Sequence, residues 1–150
     1  MKKLISLFLL NALAHLPPVF GQAPTSFTAD INQAWIAKNY STIGSRIEQE
    51  LLANPNDIVA LYTSYNFHLM VQPDLTKLIS AASKIKSIAD TANKPLITEV
   101  SNQIQTNMVA ITQEGVRPVP QDLLNRLHRS SPQEFPMMNI SIKMRSALQP

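Results

Sequence analysis

Residues 58–71 read IVALYTSYNFHLMV, a run without a single Asp, Glu, Lys or Arg. Ile58, Leu61, Tyr62, Tyr65 and Leu69 recur at steps of three and four, which sets one apolar face of a helix. Val59, Phe67 and Met70 fall on its other faces. A helix that is apolar nearly all round has to be covered on several sides. Crossing a bilayer takes about 20 apolar residues, more than this run offers. The stretch therefore predicts a central helix with other helices laid around it.

The rest of the composition agrees with such a core. At 150 residues the chain has the size of one domain. A 45% hydrophobic and 15% charged composition supports a packed interior rather than disorder. Three glycines are too few for the turns of most all-β folds, while eleven prolines fall mainly between the periodic segments. The absence of cysteine excludes a disulfide framework, a thiolate zinc site and a cysteine nucleophile. The net charge of +3 is unevenly spread. Residues 24–116 carry six basic and eight acidic side chains, and residues 117–150 carry five and two. That density does not suit a nucleic-acid binder.

The chain opens MKKLISLFLLNALAHLPPVFGQA. Two lysines, a short apolar run and small residues at Gly21 and Ala23 are the pattern of a secretory signal peptide over residues 1–21. Export to a periplasmic or extracellular location is expected, with no stable membrane span once the peptide is removed. A helical domain is then expected over residues 24–115, and a short helix with a flexible, extended tail over 116–150.

Within the helical domain, Phe27, Ile31, Ala34 and Trp35 form the stripe of a first helix capped by Ser26 or Thr28. Ile43, Ile47 and Leu51 mark a second, ended by Asn54-Pro55. Asp57 caps the central helix and Asp74 the fourth. The fourth has the cleanest stripe, Leu75, Leu78, Ala82, Ile85, Ala89 and Ala92. Pro95 opens a fifth helix with Ile97, Val100, Ile104, Met108 and Ile111 on one face, and Gly115 stops it. Residues 121–129 suit one short helix. Ile140, Ile142 and Met144 then alternate with polar residues, a period of two that predicts an extended tail.

The window NYSTIGSRIEQELLANPND, residues 39–57, resembles the second half of a tetratricopeptide repeat. Tyr40 and Pro55 stand fifteen residues apart, as tyrosine and proline do in that motif, and Leu51 lies four before the proline. Asn32 and Asn66 are 34 residues apart, the repeat length. The resemblance covers residues 24–92. The family's small residues are replaced here by Ile31 and Tyr65 in the first helices, and by Ile43 and Glu50 in the second. The expected fold is all-α, built of antiparallel helical hairpins, either tetratricopeptide-like or a generic helical bundle. In the family, the first helix of each hairpin lines a groove that holds extended peptides. The resemblance thus implies partner-binding positions at Thr28, Asn32 and Trp35, then Tyr62, Asn66 and Leu69.

Catalytic signatures are absent from the sequence. There is no HExxH pair, glycine-rich phosphate loop or Gly-x-Ser-x-Gly elbow. His68 reads as a hydrogen-bonded residue at the edge of the central helix, and His128, between Arg126 and Arg129, as part of a solvated helix end. Lys77 and Lys84 share a face of the fourth helix and suit solvent or an acidic partner. No cofactor, metal or enzymatic activity is expected. The reading is an exported non-catalytic helical-repeat protein that binds a protein or peptide in the bacterial envelope. The alternatives are a small exported enzyme or accessory subunit, or a structural oligomerising domain.

Overall fold

The computed structural model describes residues 23–150; the expected signal peptide lies outside them. Among the described residues the fold is all-α. The helices are α1 (Ala23–Ile36), α2 (Tyr40–Ala53), α3 (Ile58–Met70), α4 (Leu75–Ala92), α5 (Pro95–Glu114), α6 (Gln121–Ser130) and α7 (Met138–Leu148).

The charge-free stretch is the hub. Ten of the 13 residues of α3 are buried, on every face. Such a helix needs partners all round, and α3 has them in α2, α4 and α7. The Asp57 carboxylate starts it by accepting from the Val59 and Ala60 N–H groups at 2.8 and 3.1 Å. Consecutive helices pack in sequence, α1 on α2, α2 on α3, α3 on α4 and α4 on α5. The stripe of α4 is buried as its spacing requires, through Leu78, Ala82, Ile85 and Ala89, and Ala81 joins it. Asn93 ends α4 in the left-handed region at φ 51°, which asparagine tolerates better than most residues. Pro95 then opens α5.

The chain beyond α5 differs from the expected extended tail. Residues 138–148 form α7, which packs across α3 and α5. Its buried positions are Met138, Ser141 and Met144, three apart, whereas Ile142 is exposed. The alternation at 140–144 was misleading because a serine holds the middle buried position. The Ser141 hydroxyl donates to the Met138 carbonyl at 2.7 Å, so burial leaves it satisfied. Phe135 and Pro136, just before α7, are buried too. No helix among the described residues is long and apolar enough to cross a membrane.

Candidate functional site

The six groove positions divide into two unlike sets. In the first hairpin, Trp35 is fully buried, Thr28 is buried and Asn32 half-buried. Asn32 and Trp35 are covered by the end of α6 and the segment that joins it to α7. The Asn32 side-chain oxygen accepts from the Phe135 backbone N–H at 2.9 Å. The Trp35 indole N–H donates to the Ser131 carbonyl at 2.7 Å. The His128 ring stacks on Trp35 with centroids 3.6 Å apart and planes 11° apart. Phe135 meets the indole edge-on at 5.4 Å, a preferred aromatic geometry. His128 Nε2 also pairs with the Tyr40 hydroxyl at 2.9 Å.

This corrects the reading of His128 as a solvated residue. It is half-buried, and burial lowers its pKa from the ordinary value, with the Lys38 cation acting the same way. The surrounding arginines hid the role in the sequence, because what His128 contacts lies 88 and more residues away. The backbone groups of Ser131 and Phe135 carry no side-chain signal at all.

In the second hairpin, Asn66 is buried and its amide donates to the Tyr62 carbonyl of its own helix at 2.9 Å. Tyr62 lies half-buried with its ring parallel to that of Tyr65 at 6.3 Å. Leu69 packs half-buried against the core. Burial raises the pKa of both tyrosines. The structure thus brings Asn32 and Trp35 together under the chain's own segment, buries Thr28 on the same helix, and closes Asn66 into the core.

No family model, curated protein or solved structure matches the chain. The tetratricopeptide resemblance therefore stands on its sequence window alone.

A different surface is open. Helices α2, α3 and α4 enclose a cleft of about 400 Å³, within the range of ligand sites. Ile47, Leu51, Leu61 and Ala81 give it an apolar floor, and Leu52, 85% exposed, stands at its rim. Four-residue spacing puts Ser64 and His68 on the same face of α3, and both line the cleft. His68 Nδ1 lies 3.0 Å from the Gln72 carbonyl. A carbonyl only accepts, so the proton sits on Nδ1 and the neutral ring keeps its lone pair on Nε2. Burial lowers the His68 pKa, and Lys77 adds to that, against the Gln72 hydrogen bond and the Asp74 and Glu48 carboxylates. The neutral imidazole is the favoured form.

The polar rim is asymmetric. Lys77 pairs with Glu48 across the cleft, from α4 to α2. This hydrogen bond and charge hold the Glu48 carboxyl below its ordinary pKa. Lys84, two turns farther along the same face of α4, is half-buried and its ammonium has no ion pair among the described residues. The cleft therefore has an apolar floor, the neutral polar side chains of His68 and Ser64, and one uncompensated cation. Among the described residues no group of three or more His, Asp or Glu side chains is placed to hold a metal ion.

Proposed function

We propose that the chain is an exported, non-catalytic, tetratricopeptide-like helical protein that binds a partner protein in the bacterial envelope through the α2–α3–α4 cleft. The observation that carries this reading is the pairing of an open apolar floor with the uncompensated charge of Lys84. An apolar anchor seated in a pocket with polar groups around its rim is the usual core of a protein-binding site. The chemistry favours a partner segment that places an aliphatic or aromatic side chain on Leu51 and Leu61 and a carboxylate beside Lys84.

The side chains around His68 support binding rather than catalysis. Its Nδ1 is oriented by a main-chain carbonyl, and the nearby Glu48 carboxylate is engaged by Lys77 instead. The acid-oriented form of a nucleophile–base–acid triad would place that carboxylate on the imidazole, and here it is on Lys77.

The test is cross-linking capture from the native envelope with the wild-type chain beside Leu52→Asp and Lys84→Glu. Both side chains sit at the rim, so both variants should keep the wild-type melting temperature. Each should lower recovery of the partner by about tenfold or more, since loss of a hot-spot contact weakens affinity roughly thirtyfold. Equal recovery by all three chains would refute a role for the cleft.

A further inference from the structure

The segment covering the first hairpin is held the way a bound peptide is held. Two side chains of α1 read its main chain: Asn32 takes the Phe135 N–H, and Trp35 donates to the Ser131 carbonyl. Two of its side chains, His128 and Phe135, clasp the Trp35 indole from different directions. A third contact joins His128 to Tyr40 at the turn between α1 and α2. The arm then continues into α7, where Met138 and Met144 are buried against the central bundle.

The arm is joined to the bundle by a link suited to opening. Gly115 sits at φ 81°, and its N–H closes α5 on the Ile111 carbonyl. The next backbone hydrogen bond runs from Leu123 to the Pro120 carbonyl. Between them lie Val116-Arg117-Pro118-Val119-Pro120. Proline fixes its own φ and biases the residue before it toward extended backbone. Six residues, 115–120, can span about 20 Å when extended. A linker already held extended loses little further freedom when it bridges to another molecule.

We propose that this surface also accepts the arm of a second copy of the chain, so that two molecules pair by reciprocal exchange of residues 121–150. The occupant is fixed by the structure itself: the face of α1 and α2 already fits the sequence HRSSPQEF, residues 128–135. Exchange re-forms the contacts of residues 121–150 and changes only the hinge, where Val116 and Val119 leave their half-buried places on the core, which makes it a low-cost route to a dimer. In the closed form the tethered arm competes at an effective concentration in the millimolar range. The monomer therefore dominates in dilute solution, and exchange requires release of the arm at high protein concentration. The proposal is independent of the α2–α3–α4 cleft, which lies on other residues.

The test is sedimentation of the chain after refolding from denaturant at about 10 μM and at about 1 mM, concentrations either side of that competition. The dilute sample should be monomeric. The concentrated one should contain a species of twice the mass that persists on dilution, since its return to monomer requires the arms to detach. Trp35 is the sole tryptophan, so its fluorescence reports whether the arm is seated; the dimer and the monomer should have the same spectrum. A second variant lacks residues 118–120, which shortens the hinge and should shift the chain further toward dimer. A wild-type chain that refolds only to monomer at 1 mM overturns the proposal, whatever the deletion does. So does a dimer that dissociates within the dead time of dilution, or one whose Trp35 emission is that of an exposed indole.

Discussion

Asn32 and Asn66 stand at matching places in two successive hairpins, yet their amides have opposite uses. Asn32 reaches across to a backbone N–H more than a hundred residues away. Asn66 folds back on its own helix at Tyr62. The difference follows from what lies over each helix. The face of α1 is covered by non-helical chain, whose unpaired N–H and carbonyl groups need partners once buried. The face of α3 is covered by α7, a helix that satisfies its own backbone and offers only side chains such as Met138. Identical residues at repeat spacing therefore do not imply a shared groove. An asparagine recognises a backbone only where the backbone has something left to bond.

The largest test of this contrast is Trp35→Ala. Trp35 is fully buried and joins α1 to His128, Ser131 and Phe135 together. Its truncation should cost about 3–5 kcal/mol, as deletion of a buried aromatic does, and leave the Ser131 carbonyl without its donor. Denaturant melts should show this loss. A cost below about 1 kcal/mol would mean that the arm does not depend on the indole.

The comparison sharpens with the two asparagines. Replacement of Asn by Ala gains several tenths of a kcal/mol of helix propensity in either helix. In Asn66→Ala that gain offsets a local hydrogen bond, so stability should stay within about 0.5 kcal/mol of wild type. In Asn32→Ala the Phe135 N–H loses its acceptor, and the net cost should reach about 1–2 kcal/mol. Equal costs in thermal melts would remove the distinction between the two faces.

Much of this arrangement could be read from the residues. The all-round apolarity of residues 58–70 announces a central helix, and the three-four steps of Leu78, Ala82, Ile85 and Ala89 announce the buried stripe of α4. Asp57 and Asp74 mark the starts of α3 and α4, and Gly115 the end of α5, through side-chain and backbone chemistry visible in the sequence. The arm escaped because its recognised groups are main-chain atoms of Ser131 and Phe135, which every residue possesses. His128 escaped because flanking arginines suggest water, although one face of its ring is covered by Trp35. The α7 helix escaped because Ser141 interrupts its apolar spacing. The cleft was half legible: Lys77, Lys84 and His68 could each be noted, but only the packing of both α2 and α4 against α3 makes them one surface.

The smallest effect is that of pH, and it separates the arm from the core. His68 and His128 both have folded-state pKa values below the ordinary 6.5. The unfolded chain therefore binds more protons between the folded and ordinary values, and stability rises with pH through that interval. It is complete above about 6.5 and declines as the solution is acidified below it. His128→Gln should flatten the part of this slope that belongs to the arm, and His68→Gln the part that belongs to the cleft. Melting temperatures at pH 7.5 and 5.5 measure both. An unchanged slope in His128→Gln would show that the ring is not seated on Trp35.

The most direct measurement is hydrogen exchange at the Phe135 amide. Phe135 lies outside any helix, so secondary structure does not protect it; Asn32 Oδ1 is its acceptor among the described residues. If the arm covers the first hairpin, this amide should exchange at least about a hundredfold more slowly than in an unstructured chain. In Asn32→Ala it should return to the unprotected rate while the amides of α4 stay slow. An unprotected Phe135 amide in the wild-type chain, or one whose protection survives Asn32→Ala, would contradict the account.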